Sequence, residues 1–219
     1  MIVAYLSLPC FAFLGAGITA MSTSDVEPLS VVSRSPELMR SADTGLLVVD
    51  VQQRLVNVQA EGDQVVWNVR RLLDGAKILG VQSAATEQYP EKLGPTISEL
   101  ASRLSVPPVS KLSFSCRTCD EIFSAWRGAG IHRVLVCGIE THVCVQQTVL
   151  DLLSAGFQVL VAADAVSSRF AIDHETALRR MEASGALLTT TEAALFEWCG
   201  EAGTAEFKAI SALAKEVRL

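Results

Sequence analysis

From Gly45 onward, apolar runs of strand length alternate with longer stretches of helical period, and this alternation limits the chain to few folds. The runs at 45–51, 81–86, 109–114, 131–137, 157–163 and 186–190 read as six strands. Near-continuous hydrophobicity within them marks strands buried on both faces, the pattern of a parallel sheet between helices. Val65, Val69, Leu72, Leu73, Ala76 and Leu79 recur at helical spacing after the first run, and Val145, Thr148, Val149, Leu152 and Leu153 do so after the fourth. The expected fold is α/β, a three-layer α/β/α sandwich around a mostly parallel six-stranded sheet of Rossmann-like topology. Thr118 with Glu121 forms a capping-box pattern, Asp173 is a candidate cap for a helix over 175–184, and two helices at 191–198 and 205–217 close the chain.

A length of 219 residues suits one such domain. Residues 1–40 read as an N-terminal extension and 41–219 as the domain. Residues 1–20 are apolar and uncharged, but no Lys or Arg precedes Arg34, so a secretory leader lacks its basic start. Residues 1–40 are read as an irregular or targeting extension. No stable membrane insertion is expected, because later apolar runs are strand-length. The net charge of −6 offers no basic surface for a phosphate backbone, which argues against nucleic acid and for a small-molecule substrate. Six cysteines, several inside apolar runs, fit buried thiols in a reducing compartment, cytoplasmic or alternatively mitochondrial.

Ligands of open parallel sheets bind beyond the carboxyl ends of the strands. Asp50 ends the first run, where a carboxylate is costly unless paired; it reads equally as a turn cap. Lys111 belongs to the third run, in VSKLSFSC, and taken alone it is an ordinary solvated lysine. Cys144 follows the fourth, in CGIETHVC, with Thr141 as the expected N-cap. A cysteine in a first helical turn is favoured as thiolate by unpaired N–H groups and the helix dipole, although a small core cysteine fits the position as well. Cys116 and Cys119 make a lone CxxC without a second pair for zinc. His142 lies two residues before Cys144 and points away from it, His132 and His174 read as surface residues, and Asp164 reads as a turn or cap residue.

The segments VVDVQQRL, TEQYPEKLGPT, SKLSFSC and CGIETHVCVQQTVLDLLSAGFQVLVAADAVSSR resemble the isochorismatase-like cysteine hydrolase superfamily over 44–198, and within it the isochorismatase domain-containing proteins. The resemblance implies a catalytic group of Asp50, Lys111 and Cys144, and a non-proline cis peptide at Ile139–Glu140 with the Glu140 and Cys144 N–H groups at the oxyanion. It also implies a homo-oligomer, with the apolar C-terminal helix as a candidate contact. True isochorismatases resemble the chain in fold but lack a cysteine nucleophile. Nicotinamidases carry a histidine metal motif that is missing here, since no histidine precedes His132. No metal and no cofactor are therefore expected. Gln88 and Tyr89 are expected to line the pocket, with Phe114 as an apolar wall. The function implied is a metal-independent hydrolase of a small amide or carbamoyl substrate acting through a thioester on Cys144. The alternatives are a non-catalytic oligomeric scaffold or a thiol redox sensor.

Overall fold

Residues 44–49 alternate strictly between two cores: Leu46 and Val48 pack with one apolar cluster, Leu47 and Val49 with the other. A strand with this property needs a helical layer on each side. A computed structural model describes residues 34–218; the extension at 1–33, with its apolar stretch, lies outside the described residues. Pro36–Leu219 forms one compact unit. In chain order its elements are β1 (Thr44–Val49), α1 (Gln53–Val56), α2 (Gly62–Leu79), β2 (Gln82–Gln88), α3 (Pro90–Leu93), α4 (Ser98–Ala101), β3 (Val109–Lys111), α5 (Asp120–Gly128), β4 (Arg133–Ile139), α6 (Gln146–Ser154), β5 (Gln158–Ser167), α7 (Ala171–Ala183), β6 (Leu187–Thr189), α8 (Thr191–Cys199) and α9 (Ala205–Ala214).

The six strands form one parallel sheet in the order β3-β2-β1-β4-β5-β6. Helices α2, α8 and α9 bury Leu72, Leu195 and Ile210 on one face. On the other, α5, α6 and α7 bury Phe123, Val149 and Met181. The expected α/β/α sandwich is the observed architecture. Chain order reverses between β1 and β4, so a crevice opens at their carboxyl ends, where this class of sheet binds ligands.

Three local expectations change. The Thr118–Glu121 capping box does not form, because α5 starts only at Asp120 and the Thr118 hydroxyl turns back to the Ser115 carbonyl. Helix α7 begins at Ala171, so Asp173 sits in its first turn rather than at its cap. The last helix stops at Ala214 rather than running to 217; Ile210 is in the core and Phe207, partly buried, meets Phe196. Asp164 does act as a cap, accepting from the Thr191 N–H and hydroxyl at the start of α8. Among the described residues no helix is long and apolar enough to cross a membrane.

Gly138 closes β4 against β1 with φ of 115°, and a Cβ there would lie 2.1 Å from the Val49 carbonyl oxygen. Gly156 also has a positive φ but faces open space. We therefore expect Gly138→Ala to lower the urea-unfolding free energy by more than about 3 kcal/mol, against roughly 1 kcal/mol for Gly156→Ala. Equal losses would mean that close packing of β1 on β4 does not govern this position.

Candidate active site

Three strand ends supply the polar groups of the crevice. β1 ends at Val49, and Asp50 follows with φ of 49°, a left-handed turn that aspartate tolerates better than most residues. Its N–H stays bonded to the Thr86 carbonyl of β2, so the carboxylate is held beside the sheet and fully buried. Lys111 ends β3, two strands away, and its side chain reaches across the end of β2. The ammonium Nζ stands 2.7 Å from Asp50 Oδ2, with side-chain exposures of 2% and 0%.

An ammonium has three protons and Lys111 has four acceptors around it. Besides Asp50 it donates to Gln88 Oε1 at 2.9 Å, the Phe114 carbonyl at 3.0 Å and the Ser113 carbonyl at 3.2 Å. Those last contacts explain why β3 stops at Lys111 instead of running to 114: the chain folds back so that its carbonyls solvate the ammonium. Burial alone would draw the Lys111 pKa down. The charge of Asp50 outweighs it and holds the ammonium above its ordinary range. Asp50 Oδ1 accepts from the Thr86 hydroxyl at 2.7 Å, which occupies the second oxygen.

Cys144 approaches from β4. After the cis Ile139–Glu140 peptide the chain makes one wide π turn, Thr141–Val145, before α6 begins. The cap position is Glu140 rather than Thr141, whose hydroxyl instead meets His174 Nδ1 at 3.0 Å. Cys144 is buried against Asp50 and Lys111, and its thiol is not the resting thiolate that its helical position suggested. Burial pushes the thiol pKa far up, the Asp50 charge adds to this, and Lys111 opposes it without prevailing. Desolvation and a facing carboxylate outweigh the dipole of a helix end.

The structure thus gathers Asp50, Lys111 and Cys144 in one place. Gln88 also belongs there, but as a holder of Lys111: its amide Nε2 donates to the Leu112 carbonyl, while its own N–H and carbonyl are clasped by Gln52. Tyr89, half exposed, lines a hollow of about 280 Å³ with Lys111, Pro90 and Leu112. Phe114, read as an apolar wall, is 51% exposed, and its carbonyl accepts from Lys111. Glu140 accepts from Arg169 Nε at 2.9 Å and Gln59 Nε2 at 3.3 Å. His174 is partly buried and held by Thr141 rather than free on the surface, whereas His132 is exposed. Cys116 and Cys119 are unpaired thiols, and among the described residues no group of three His, Cys, Asp or Glu could hold a metal ion. The residues missed in the sequence are Thr86 and Gln52, and Cys116 was read only as half of a lone CxxC. Thr86 and Gln88 share one face of β2 by their spacing of two, a signal available from the strand pattern.

Residues 44–193 match the isochorismatase domain family model. The chain is 39% identical over 176 residues to the secreted isochorismatase effector Isc1 of Phytophthora sojae, covering 78% of this chain and 84% of that protein. It is 40% identical over 171 residues to isochorismatase domain-containing protein 2 of Bos taurus, covering 78% and 82%. Among solved structures, the MAR1 ribonuclease of Caenorhabditis elegans aligns with a TM-score of 0.74 at 34% identity, covering 83% of this chain and 98% of that one.

Because burial, and after it the Asp50 charge, hold the thiol protonated, Asp50→Asn has a sign opposite to simple loss of function. With the carboxylate neutralised, a Cys144 thiolate becomes the counter-ion of Lys111 and the thiol pKa falls. Alkylation of Cys144 by iodoacetamide at pH 7, followed by peptide mass mapping, is expected to speed up roughly tenfold, the thiolate gain for one pKa unit. A slower reaction in Asp50→Asn would contradict this electrostatic arrangement.

Proposed function

The chain belongs to the isochorismatase family, and from that premise we propose that it is a metal-independent cysteine hydrolase of small amide or carbamoyl compounds, acting through a thioester on Cys144. The observation that carries the reading is the buried Lys111–Asp50 pair at 2.7 Å with the Cys144 thiol against it. In this reading the resting thiol is neutral, so its proton leaves only as attack proceeds. Asp50 accepts that proton while Cys144 Sγ bonds to the acyl carbon. The Glu140 and Cys144 N–H groups receive the charge that develops on the carbonyl oxygen. Collapse breaks the carbon–nitrogen bond, and the departing amine takes the proton from Asp50. Water then attacks the thioester, gives a proton to Asp50, and the acid product leaves as Cys144 regains its thiol proton.

Lys111 stays protonated throughout and acts by its field, since its protons are already committed to fixed acceptors. The Caenorhabditis elegans relative is called a ribonuclease. For this chain the net charge of −6 and the small, buried reacting group favour a compact neutral or cationic substrate over a polyanion. We place the subunit contact of a homo-oligomer on the loops at the carboxyl end of the sheet, where Leu112, Phe114, Phe170 and Ile172 are exposed.

An activated ester tests the chemistry without knowledge of the natural substrate. With p-nitrophenyl acetate we expect a stoichiometric burst of p-nitrophenolate, one acetyl group on Cys144 by mass spectrometry, and slow turnover. Asp50→Asn should still acetylate but release acetate about 10²- to 10⁴-fold more slowly, the usual worth of a general base. Absence of an adduct on Cys144 would leave the scaffold reading in place.

A further inference from the structure

Cys116 is a second buried thiol at the site, and the hydrolysis does not use it. It begins a short turn, Cys116–Thr118, with no exposed surface. Its N–H donates to the Thr148 hydroxyl of α6 at 2.9 Å, which ties it to the helix that carries the nucleophile turn. Its Sγ lies 3.3 Å from Thr86 Oγ1, and Thr86 Oγ1 lies 2.7 Å from Asp50 Oδ1.

The direction of this chain follows from counting protons. A carboxylate only accepts, and a hydroxyl has a single proton to donate. The Thr86 proton is therefore spent on Asp50, so a hydrogen bond between Thr86 and Cys116 has the thiol as its donor, with the Thr148 hydroxyl as the other group beside that sulfur. We propose that Cys116 and Thr86 are positioning residues for the base: the Cys116 S–H fixes the Thr86 hydroxyl as a one-way donor to Asp50 Oδ1, leaving the carboxylate oriented toward Cys144. This rests on the reading of Asp50 as general base. The protons of Cys116 and Thr86 stay in place during the reaction, and only the Cys144 proton moves.

The environment supports a permanently protonated donor. Burial, with the charge of Asp50 added and Lys111 opposing, pushes the Cys116 thiol up to about 12. Every oxygen of Asp50 is thus restrained by a group that is itself restrained: Oδ2 by Lys111, which Gln88 holds, and Oδ1 by Thr86, which Cys116 holds. A thiol suits the outer position, because its long, weak hydrogen bond directs the hydroxyl without competing with the carboxylate for it.

Two measurements on the intact chain test the proposal. The first is the infrared S–H stretch of Cys116, identified as the band lost in Cys116→Ala. In Thr86→Val the thiol loses its acceptor, and the band is expected to move to higher frequency. The second is the decay rate of acetyl-Cys144 formed from p-nitrophenyl acetate. Thr86→Val keeps the side-chain volume and removes the hydroxyl, and is expected to slow the decay roughly tenfold to hundredfold, the worth of a hydrogen bond to a charged group. Thr86→Ser keeps the hydroxyl and loses the methyl, and should restore most of the rate. Cys116→Ser should likewise outperform Cys116→Ala.

An unmoved S–H band, or a Thr86→Val enzyme as fast as wild type with Thr86→Ser impaired, would overturn the relay and assign Thr86 a packing role. Slow decay in Asp50→Asn beside normal decay in Thr86→Val would overturn the relay alone. Normal decay in Asp50→Asn itself would remove the base, and the proposal with it.

Discussion

The buried ion pair between Asp50 and Lys111 is the constraint around which the rest of the site is arranged. Two charges taken out of water cost several kcal/mol each unless geometry and further hydrogen bonds offset the loss, and removing one partner from such a pair typically costs about 3–5 kcal/mol. The fold meets this demand with neutral dipoles. Gln88, the Ser113 and Phe114 carbonyls and the Thr86 hydroxyl all point at the pair, and each is fixed in turn by backbone or by Gln52 and Cys116. Local features that look incidental follow from it, including the early end of β3 and the fold-back at 113–114.

Burial together with the same pair sets the state of the Cys144 thiol. A thiol beside a lone lysine would lose its proton readily, and a thiol beside a lone carboxylate would hold it. Cys144 faces both, in a buried place, and the balance leaves it protonated at rest. The proposed reaction does not rely on a standing thiolate. In it proton transfer is joined to bond formation, so reactivity is expressed when an electrophilic carbon is in place, and the buried sulfur is shielded from adventitious oxidation meanwhile. The wide turn at Thr141–Val145 and the contacts of Thr141 with His174 and of His142 with Ser168 anchor the backbone that carries it.

Sheet topology explains how residues 94 positions apart come together. β1 and β4 stay paired to their ends, but the connections leaving them run to opposite halves of the sheet and leave room for Asp50 and Cys144 between them. Lys111 has to span β2, which is why residues of β2 itself, Thr86 and Gln88, became the mediators of the site. The exposed apolar side chains of the surrounding loops share that end of the sheet.

Much of this was legible in the sequence. The apolar runs placed six strands and a three-layer sandwich because burial on both faces leaves a continuous hydrophobic signal, and the motifs around Asp50, Lys111 and Cys144 marked three strand ends. Periodicity could not say that the cysteine rests as a thiol, that Gln88 serves the lysine, or that Thr86 and Cys116 stand behind the aspartate. Nor could it show that Thr118 and Asp173 are not caps, or that the last helix stops at Ala214. Those outcomes depend on which desolvated groups share a cavity, and energies of that kind are set by distances across the sheet rather than by spacing along the chain.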